Sequence, residues 1–489
     1  MSELHFPWLE LCVLLPALGA LRVAFTTDPD AARRQSLVAS GLTLVCAVAA
    51  WQDFLFQHVS QAHERWNLLA QFFRTDLLVI DKLSAPLLPL AALICVLTNL
   101  ATLRAKVREF SFSRSLVSES ILLATLGCKH PWGVVALLAI GTVPPYLELR
   151  DRRRPSRVYV LHMGLFVALL CLGQTLLARH PLPAVVLLTA AVLLRSGVVP
   201  VHCWMTDLFE HATFGTALLF VTPMVGVYGL TRLVLPIAPQ WVLHALSLAS
   251  LFTAIYAAGM ALVQREARRF FCYLFLSHSS LVLVGLEMAT PIGLTGALSL
   301  WLSVALSLTG FGLTLRCVES RTGRISLTDF HGLYQHISML AGVFLLTGMA
   351  SVGFPGTAGF VGLELLVTGA VQAFPIMGAG VVAVAALNSL AVLHVYFRIF
   401  AGKRHETMID LDVRPAERIA VLVLSTLILG GGLYPQPGVI SRYRAGVGLA
   451  ESRAQHFGPG AAPAGVANHS LGGGPVSFRD RDEGRLTTD

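Results

Sequence analysis

Charge is what this sequence has least of. Only 13% of its 489 residues are Asp, Glu, Lys or Arg, against about 25% in ordinary soluble domains. By contrast 55% are hydrophobic and the mean hydropathy is +0.69. That balance excludes a water-soluble globular enzyme. A C-x-x-C pair is also missing. The eight cysteines (Cys12, Cys46, Cys95, Cys128, Cys171, Cys203, Cys272 and Cys317) are scattered, mostly in apolar stretches, so no zinc or iron–sulfur site is indicated. They read as small buried hydrophobes. No G-x-G-x-x-G loop follows a strand and no Walker lysine loop occurs, which leaves no place for NAD, flavin or ATP. Neither a cofactor nor a metal is expected. The start, MSELHFPWLELCVLLPALGAL, lacks a basic n-region and reads as a retained first helix rather than a cleaved signal.

Long apolar runs are what the chain has instead. If about 20 residues cross a bilayer, the apolar material suffices for roughly thirteen or fourteen crossings. Candidate spans lie near 8–26, 36–56, 83–103, 115–128, 131–148, 158–178, 183–201, 214–235, 241–263, 270–288, 291–316, 337–353, 376–400 and 418–434. After about residue 450 the chain turns rich in Gly, Pro, Ala and charge, as a disordered tail does.

The excess of 36 Lys+Arg over 28 Asp+Glu is topological, and nucleic acid is not implied. Arg33 and Arg34; Arg104, Lys106, Arg108 and Arg114; Arg150, Arg152, Arg153, Arg154 and Arg157; Arg265, Arg268 and Arg269; Arg321 and Arg324; and Lys403, Arg404, Arg414 and Arg418 occupy every second loop. The positive-inside rule makes these loops cytoplasmic. The expected location is the inner (plasma) membrane, crossed many times.

Polar residues inside spans are costly and each is a functional candidate. In LLRSGVVPVHCWMTDLFEHATFGTALLF, Arg195, His202, Asp207 and Glu210 surround Pro200. A proline there breaks the helix and frees carbonyls that only a protein-lined or watery interior can satisfy. The plainer alternative is a helix that ends at the surface with His202 and Asp207 solvated. In TGMASVGFPGTAGFVGLELLVTGA, Pro355 with Gly353, Gly356 and Gly359 interrupts a second run, followed by Glu364. Two broken helices are a transporter device.

These residues carry a resemblance. The series Pro200, His202, Trp204, Asp207, Glu210, Thr213 resembles the P-x-H-x-W-x-x-D-x-x-E-x-x-T signature of the antiporter-like proton-translocating subunits of respiratory complex I (NADH-quinone oxidoreductase, M/L/N type), shared with multisubunit cation/proton antiporters and membrane-bound hydrogenases. QREARRFFCYLFLSHSS, Asp81 with Leu83 and Ser84, and GFPGTAGFVG followed by LNSLAVLHVYFRIFAGK and GLYPQPG are similar to further family segments, the last group to the M type in particular. The resemblance covers roughly residues 80 to 440. It implies an all-α integral membrane fold of about fourteen transmembrane helices in two inverted five-helix repeats, each with one broken helix. Residues 1–114 would be N-terminal spans, 115–400 the antiporter-like core, 401–450 the C-terminal span and flank, and 451–489 the tail.

The departures from the family matter as much. Where its first broken helix has a lysine this chain has Arg195, which keeps its proton at any accessible pH and is a poor relay. The family glutamate of the fifth helix falls on Ala139, the eighth-helix lysine or histidine near Phe220 or Met224, and the second broken-helix position on Leu363, beside Glu364. Arg195, His202, His278, Glu364 and His394 remain along the implied axis and, with Asp207 and Glu210, are the proton-path or gating candidates, Glu119 and Glu287 being further ones. A histidine path titrates near neutral pH, although each histidine also fits a packed, hydrogen-bonded helix residue. The expected function is ion translocation, with the proton as favoured ion, or energy coupling. Other membrane and soluble subunits, which carry any flavin and iron–sulfur centres, and membrane lipid are the expected partners. A non-conducting scaffold, or a membrane partner for a soluble zinc protein in inorganic carbon uptake, are the alternatives.

Overall fold

The computed structural model describes residues 3–64, 77–102, 110–402 and 414–457. The basic positions Arg104, Lys106, Arg108, Lys403 and Arg404, and the tail from 458 onward, lie outside the described residues. In chain order the helices are α1 (Trp8–Ala24), α2 (Pro29–Gln57), α3 (Leu87–Leu100), α4 (Phe112–Gly127), α5 (Pro131–Ile140), α6 (Val143–Asp151), α7 (Arg157–Leu176), α8 (Pro181–Ser196), α9 (Cys203–His211), α10 (Phe214–Val221) and α11 (Val225–Gly229). A π-helical segment, Leu230–Val234, extends α11 and is followed by α12 (Gln240–Val263), α13 (Ala267–Glu287), α14 (Pro291–Thr322), α15 (Ser338–Ser351), α16 (Ala358–Ala373), α17 (Pro375–Phe400), α18 (Pro415–Leu433) and α19 (Gln436–Phe457). One antiparallel ribbon interrupts the helices: β1 (Gln61–His63) pairs with β2 (Val79–Asp81), Ala62 opposite Ile80.

Among the described residues nine helical stretches are long and apolar enough to cross a membrane, and α3, α8, α15 and α16 are shorter apolar helices. The chain is therefore an integral membrane protein built from apolar helices. Helix α13 is buried from Phe270 to Glu287 and lies against α12 and α14 at the centre of the bundle. Close approach here depends on small residues, as is usual between membrane helices. A Cβ on Gly296 of α14 would stand 2.5 Å from the Leu366 backbone nitrogen of α16, and one on Gly362 of α16 would stand 2.8 Å from the Leu300 nitrogen of α14. Six cysteines are buried, but Cys171 is half-buried and Cys203 exposed, and none is disulfide-bonded.

Two expected boundaries shift. The run 183–201 stops being helical at Ser196, where Gly197 turns into the left-handed region at φ +76° and its N–H closes onto Leu193 and Leu194 carbonyls, a C-terminal cap suited to glycine. Helix α19 runs to Phe457, through the boundary expected at residue 450. Its mixed composition hid it from a search for apolar runs. It is tied down instead by two buried arginines. Arg442 donates to the carbonyl of Lys82 at 2.8 Å, and Arg453 to those of Leu235 and Ala238 at 3.1 and 2.6 Å.

The basic loops gather at one end of the bundle. Arg268 bonds Glu319, Arg321 bonds Glu417, Arg324 donates to the Glu210 carbonyl and Arg33 to that of Leu100. At the other end Asp81 pairs with Arg232. Burial alone would raise the Asp81 carboxyl, but the adjacent Arg232 guanidinium outweighs it and holds that carboxyl well below the usual carboxylate range.

Candidate functional site

The first helix break runs from Gly197 to His202, between α8 and α9, and contains a cis Val199–Pro200 peptide bond. Breaking a helix strands backbone groups, and neighbouring side chains take them up. Trp204 Nε1 donates to the Leu194 carbonyl at 2.9 Å, and the Val199 N–H donates to Thr253 Oγ1 at 3.1 Å. Pro200 itself is exposed.

Arg195, 6% exposed, ends α8. Its guanidinium lies 3.9 Å from the Phe220 ring centroid and 5.4 Å from that of Trp204, cation–π contacts of the kind arginine favours. It donates to the Phe220 carbonyl at 3.1 Å. No carboxylate faces it among the described residues; the Tyr159 phenol is near it, its hydroxyl donating to the Thr142 carbonyl. Phe220, the position without a titrating side chain, thus supplies both a π face and an acceptor.

The other first-half candidates separate. The His202 ring packs against Tyr256 and Tyr273 at 5.7 and 5.9 Å. Asp207 pairs with His211 at 3.2 Å one turn on. Glu210 pairs with Arg269 at 2.5 Å, both partly exposed. The acidic members of the signature are therefore ion-paired at the basic end of the bundle, while Arg195 and His202 lie deeper.

In the second half, His278 lies midway along α13 and is 2% exposed; neither ring nitrogen has a partner among the described residues. The neighbouring Ser277 donates to the Ala254 carbonyl and accepts from Asn388 Nδ2, each at 2.9 Å. Glu287 is fully buried and takes a 3.3 Å bond from Ser250. Glu119 on α4 is fully buried with neither oxygen partnered among the described residues. The second break spans 352–357, with Gly353 and Gly356 at φ +80° and +85°, and its tip, Phe354, Pro355 and Gly356, is exposed.

Glu364 and His394 do not join this interior. Both are exposed, on the outward faces of α16 and α17, because each follows by one position a residue that is turned inward enough to be partly covered. The axis candidates that the structure buries are Arg195 and His278, with Glu119 and Glu287.

Several buried acidic residues escaped the sequence reading, Glu148 among them. Glu148 of α6 is 2% exposed; it accepts from the Thr213 N–H at 2.7 Å and from the Thr216 hydroxyl, capping α10. Its place at the end of an apolar run, next to a basic loop, made it look solvated. Arg232, inside the run 214–235, was the visible sign that Asp81 has a buried partner.

Residues 165–388 match the family described as NADH:quinone oxidoreductase/Mrp antiporter, transmembrane. Relatives similar over nearly the whole chain include NAD(P)H-quinone oxidoreductase chain 4 1 of Synechococcus sp. (strain JA-3-3Ab), 27% identical over 89% of this chain and 91% of the relative. The corresponding chain 4 of Synechococcus sp. (strain WH7803) is 26% identical over 88% and 87%. Among solved structures, the Mrp complex from Dietzia sp. DQ12-45-1b superposes with TM-score 0.79, 19% identity, 92% of this chain and 98% of that one. Respiratory complex I from Thermus thermophilus with bound NADH gives 0.78, 20%, 91% and 99%. At these identities the superpositions establish a shared fold.

Proposed function

We propose that this chain is an antiporter-like, ion-translocating membrane subunit of a multisubunit assembly of the NADH-quinone oxidoreductase or Mrp type, with the proton as its ion. The observation that carries this is the pair of buried ionisable side chains, Arg195 beside one helix break and His278 at mid-span on α13, inside a bundle of the antiporter fold. Ionisable groups at membrane depth are expensive and mark ion pathways. In this reading the chain has about fourteen spans in two inverted repeats within residues 115–400, is closest to the M type, and sits in the plasma membrane with its basic loops in the cytoplasm. Arg195 sets the potential of the first half-path and His202 and His278 exchange protons, with Asp207 and Glu210 at the basic mouth.

Partner subunits follow from the second break. Helix α15 has 14 residues, so the turn at Phe354–Gly356 stands about 21 Å into the span at 1.5 Å per residue, within a hydrocarbon core of about 30 Å. Irregular backbone exposed to lipid at that depth does not occur, so a neighbouring subunit covers this turn. The same cover relieves Glu364, a carboxylate on the outward face of α16.

The test is proton uptake by the complete assembly in sealed vesicles, read by a pH-sensitive dye. His278→Ala and Arg195→Gln are each expected to lower the rate at least tenfold, with assembly checked by co-purification. Wild-type uptake rates in both variants would overturn translocation through this chain and leave it a scaffold.

A further inference from the structure

Several buried arginines of this bundle have a carboxylate or a pair of carbonyls in reach. Arg232, Arg268 and Arg321 each face a carboxylate, and Arg442 and Arg453 are each held by two carbonyls. Arg195 has neither. Of the five N–H groups of a guanidinium, one bond is made, to the Phe220 carbonyl. An arginine does not shed its charge at accessible pH, and a buried charge needs a compensating one.

A cavity of about 50 Å³ lies against it, lined by Arg195, Phe220, Arg114, Ser118, Thr216 and Leu137 among others. At 10–15 Å³ of such volume per water, it holds about three or four waters, or one halide-sized ion with a water or two. Arg114 brings a second guanidinium to the same wall. Its terminal nitrogen bonds Asp151, whose side chain is 62% exposed, while its Nε is buried with no partner. Ser118 adds a rotatable hydroxyl donor. The remaining nearby carboxylate, Glu148, is occupied by the Thr213 N–H and the Thr216 hydroxyl, a helical turn away from Phe220.

We propose that the cavity beside Arg195 binds a small monovalent anion of halide size, between the Arg195 guanidinium, Arg114 Nε and the Ser118 hydroxyl, as the counter-ion that no side chain supplies. Two guanidiniums and one hydroxyl set in an otherwise largely apolar wall, together with the size of the space, select it. It does not depend on whether the chain moves protons.

Chloride is the probe. The purified full chain in detergent is melted over a chloride series, with gluconate holding ionic strength constant. A ligand that binds only the folded state raises the midpoint with the logarithm of its concentration above the binding constant. Wild type is expected to show that rise, and Arg195→Gln to weaken the chloride response at least tenfold. Ser118→Asp places a tethered carboxylate in the cavity. It is expected to melt no lower than wild type in gluconate and to ignore chloride. Superimposable wild-type melts in chloride and gluconate would overturn the proposal, as would a wild-type chloride response in Arg195→Gln. Should Arg195→Gln not fold, a full chloride response in Ser118→Asp is itself sufficient to reject the site.

Discussion

Replacing Arg232 by Met should be among the most damaging single changes outside the helix breaks. Arg232 Nη1 and Nη2 reach the two Asp81 oxygens at 2.6 and 2.9 Å, with the side chains 9% and 14% exposed, and Nε donates to the Tyr228 hydroxyl at 3.0 Å. That hydroxyl in turn lies 2.9 and 3.0 Å from the Leu126 and Cys128 carbonyls. One guanidinium therefore joins the π segment after α11 to the start of α3 and the end of α4. Methionine keeps much of the stem's packing, so the loss is chiefly that of a stranded carboxylate. Removing one partner of a buried pair costs about 3–5 kcal/mol. Adding Asp81→Asn should recover part of it, since Asn keeps the oxygen that accepts the Leu83 and Ser84 N–H groups without the charge.

The pH dependence has a definite sign. Because Asp81 is held low in the folded chain, its stabilisation is complete above the ordinary carboxylate range and is lost as acid titrates it. Without Arg232, burial pushes the same carboxyl up, and mild acid then stabilises the variant. Thermal and detergent-induced unfolding of the purified full chain, from pH 2 to pH 8, reads both effects. An Arg232→Met midpoint within a degree of wild type, with an unchanged pH profile, would refute the argument.

Two other predictions concern stability. Burial pushes the Glu64 carboxyl up to about 8, despite the Leu9 N–H it accepts; a raised carboxyl stabilises fully below its unfolded value and ceases to as pH passes the folded one. Wild-type melting should thus fall between about pH 5 and pH 8 by more than that of Glu64→Gln, and parallel profiles would refute it. Gly296→Ala should cost about 1–3 kcal/mol by overpacking, because the new methyl meets backbone of α16 rather than a movable side-chain tip; an unchanged melting midpoint would show that the two helices can part without cost.

Most spans were legible because an apolar run of membrane length has few other uses, and α2, α7, α12, α14, α17 and α18 fall where the runs lie. Pro200 and Pro355 marked both breaks for the same local reason, that proline and glycine decide backbone conformation. The candidate site was only partly legible. Glu364 and His394 stand in the right segments yet face outward, because which side of a helix looks inward depends on the neighbours packed there. Glu148 and α19 were missed because both are anchored by distant residues that a linear reading does not bring together.

Sequence by itself determined that this chain lives in a membrane, where most of its apolar helices lie, and where proline and glycine break two of them. Those properties follow from composition and from local backbone preference. Tertiary structure decided which charges are paired: Asp81 with Arg232, Glu417 with Arg321, and Arg195 with no carboxylate among the described residues. Electrostatic pairing acts through space over a few ångströms, and residues 81 and 232 become neighbours only once the bundle has packed.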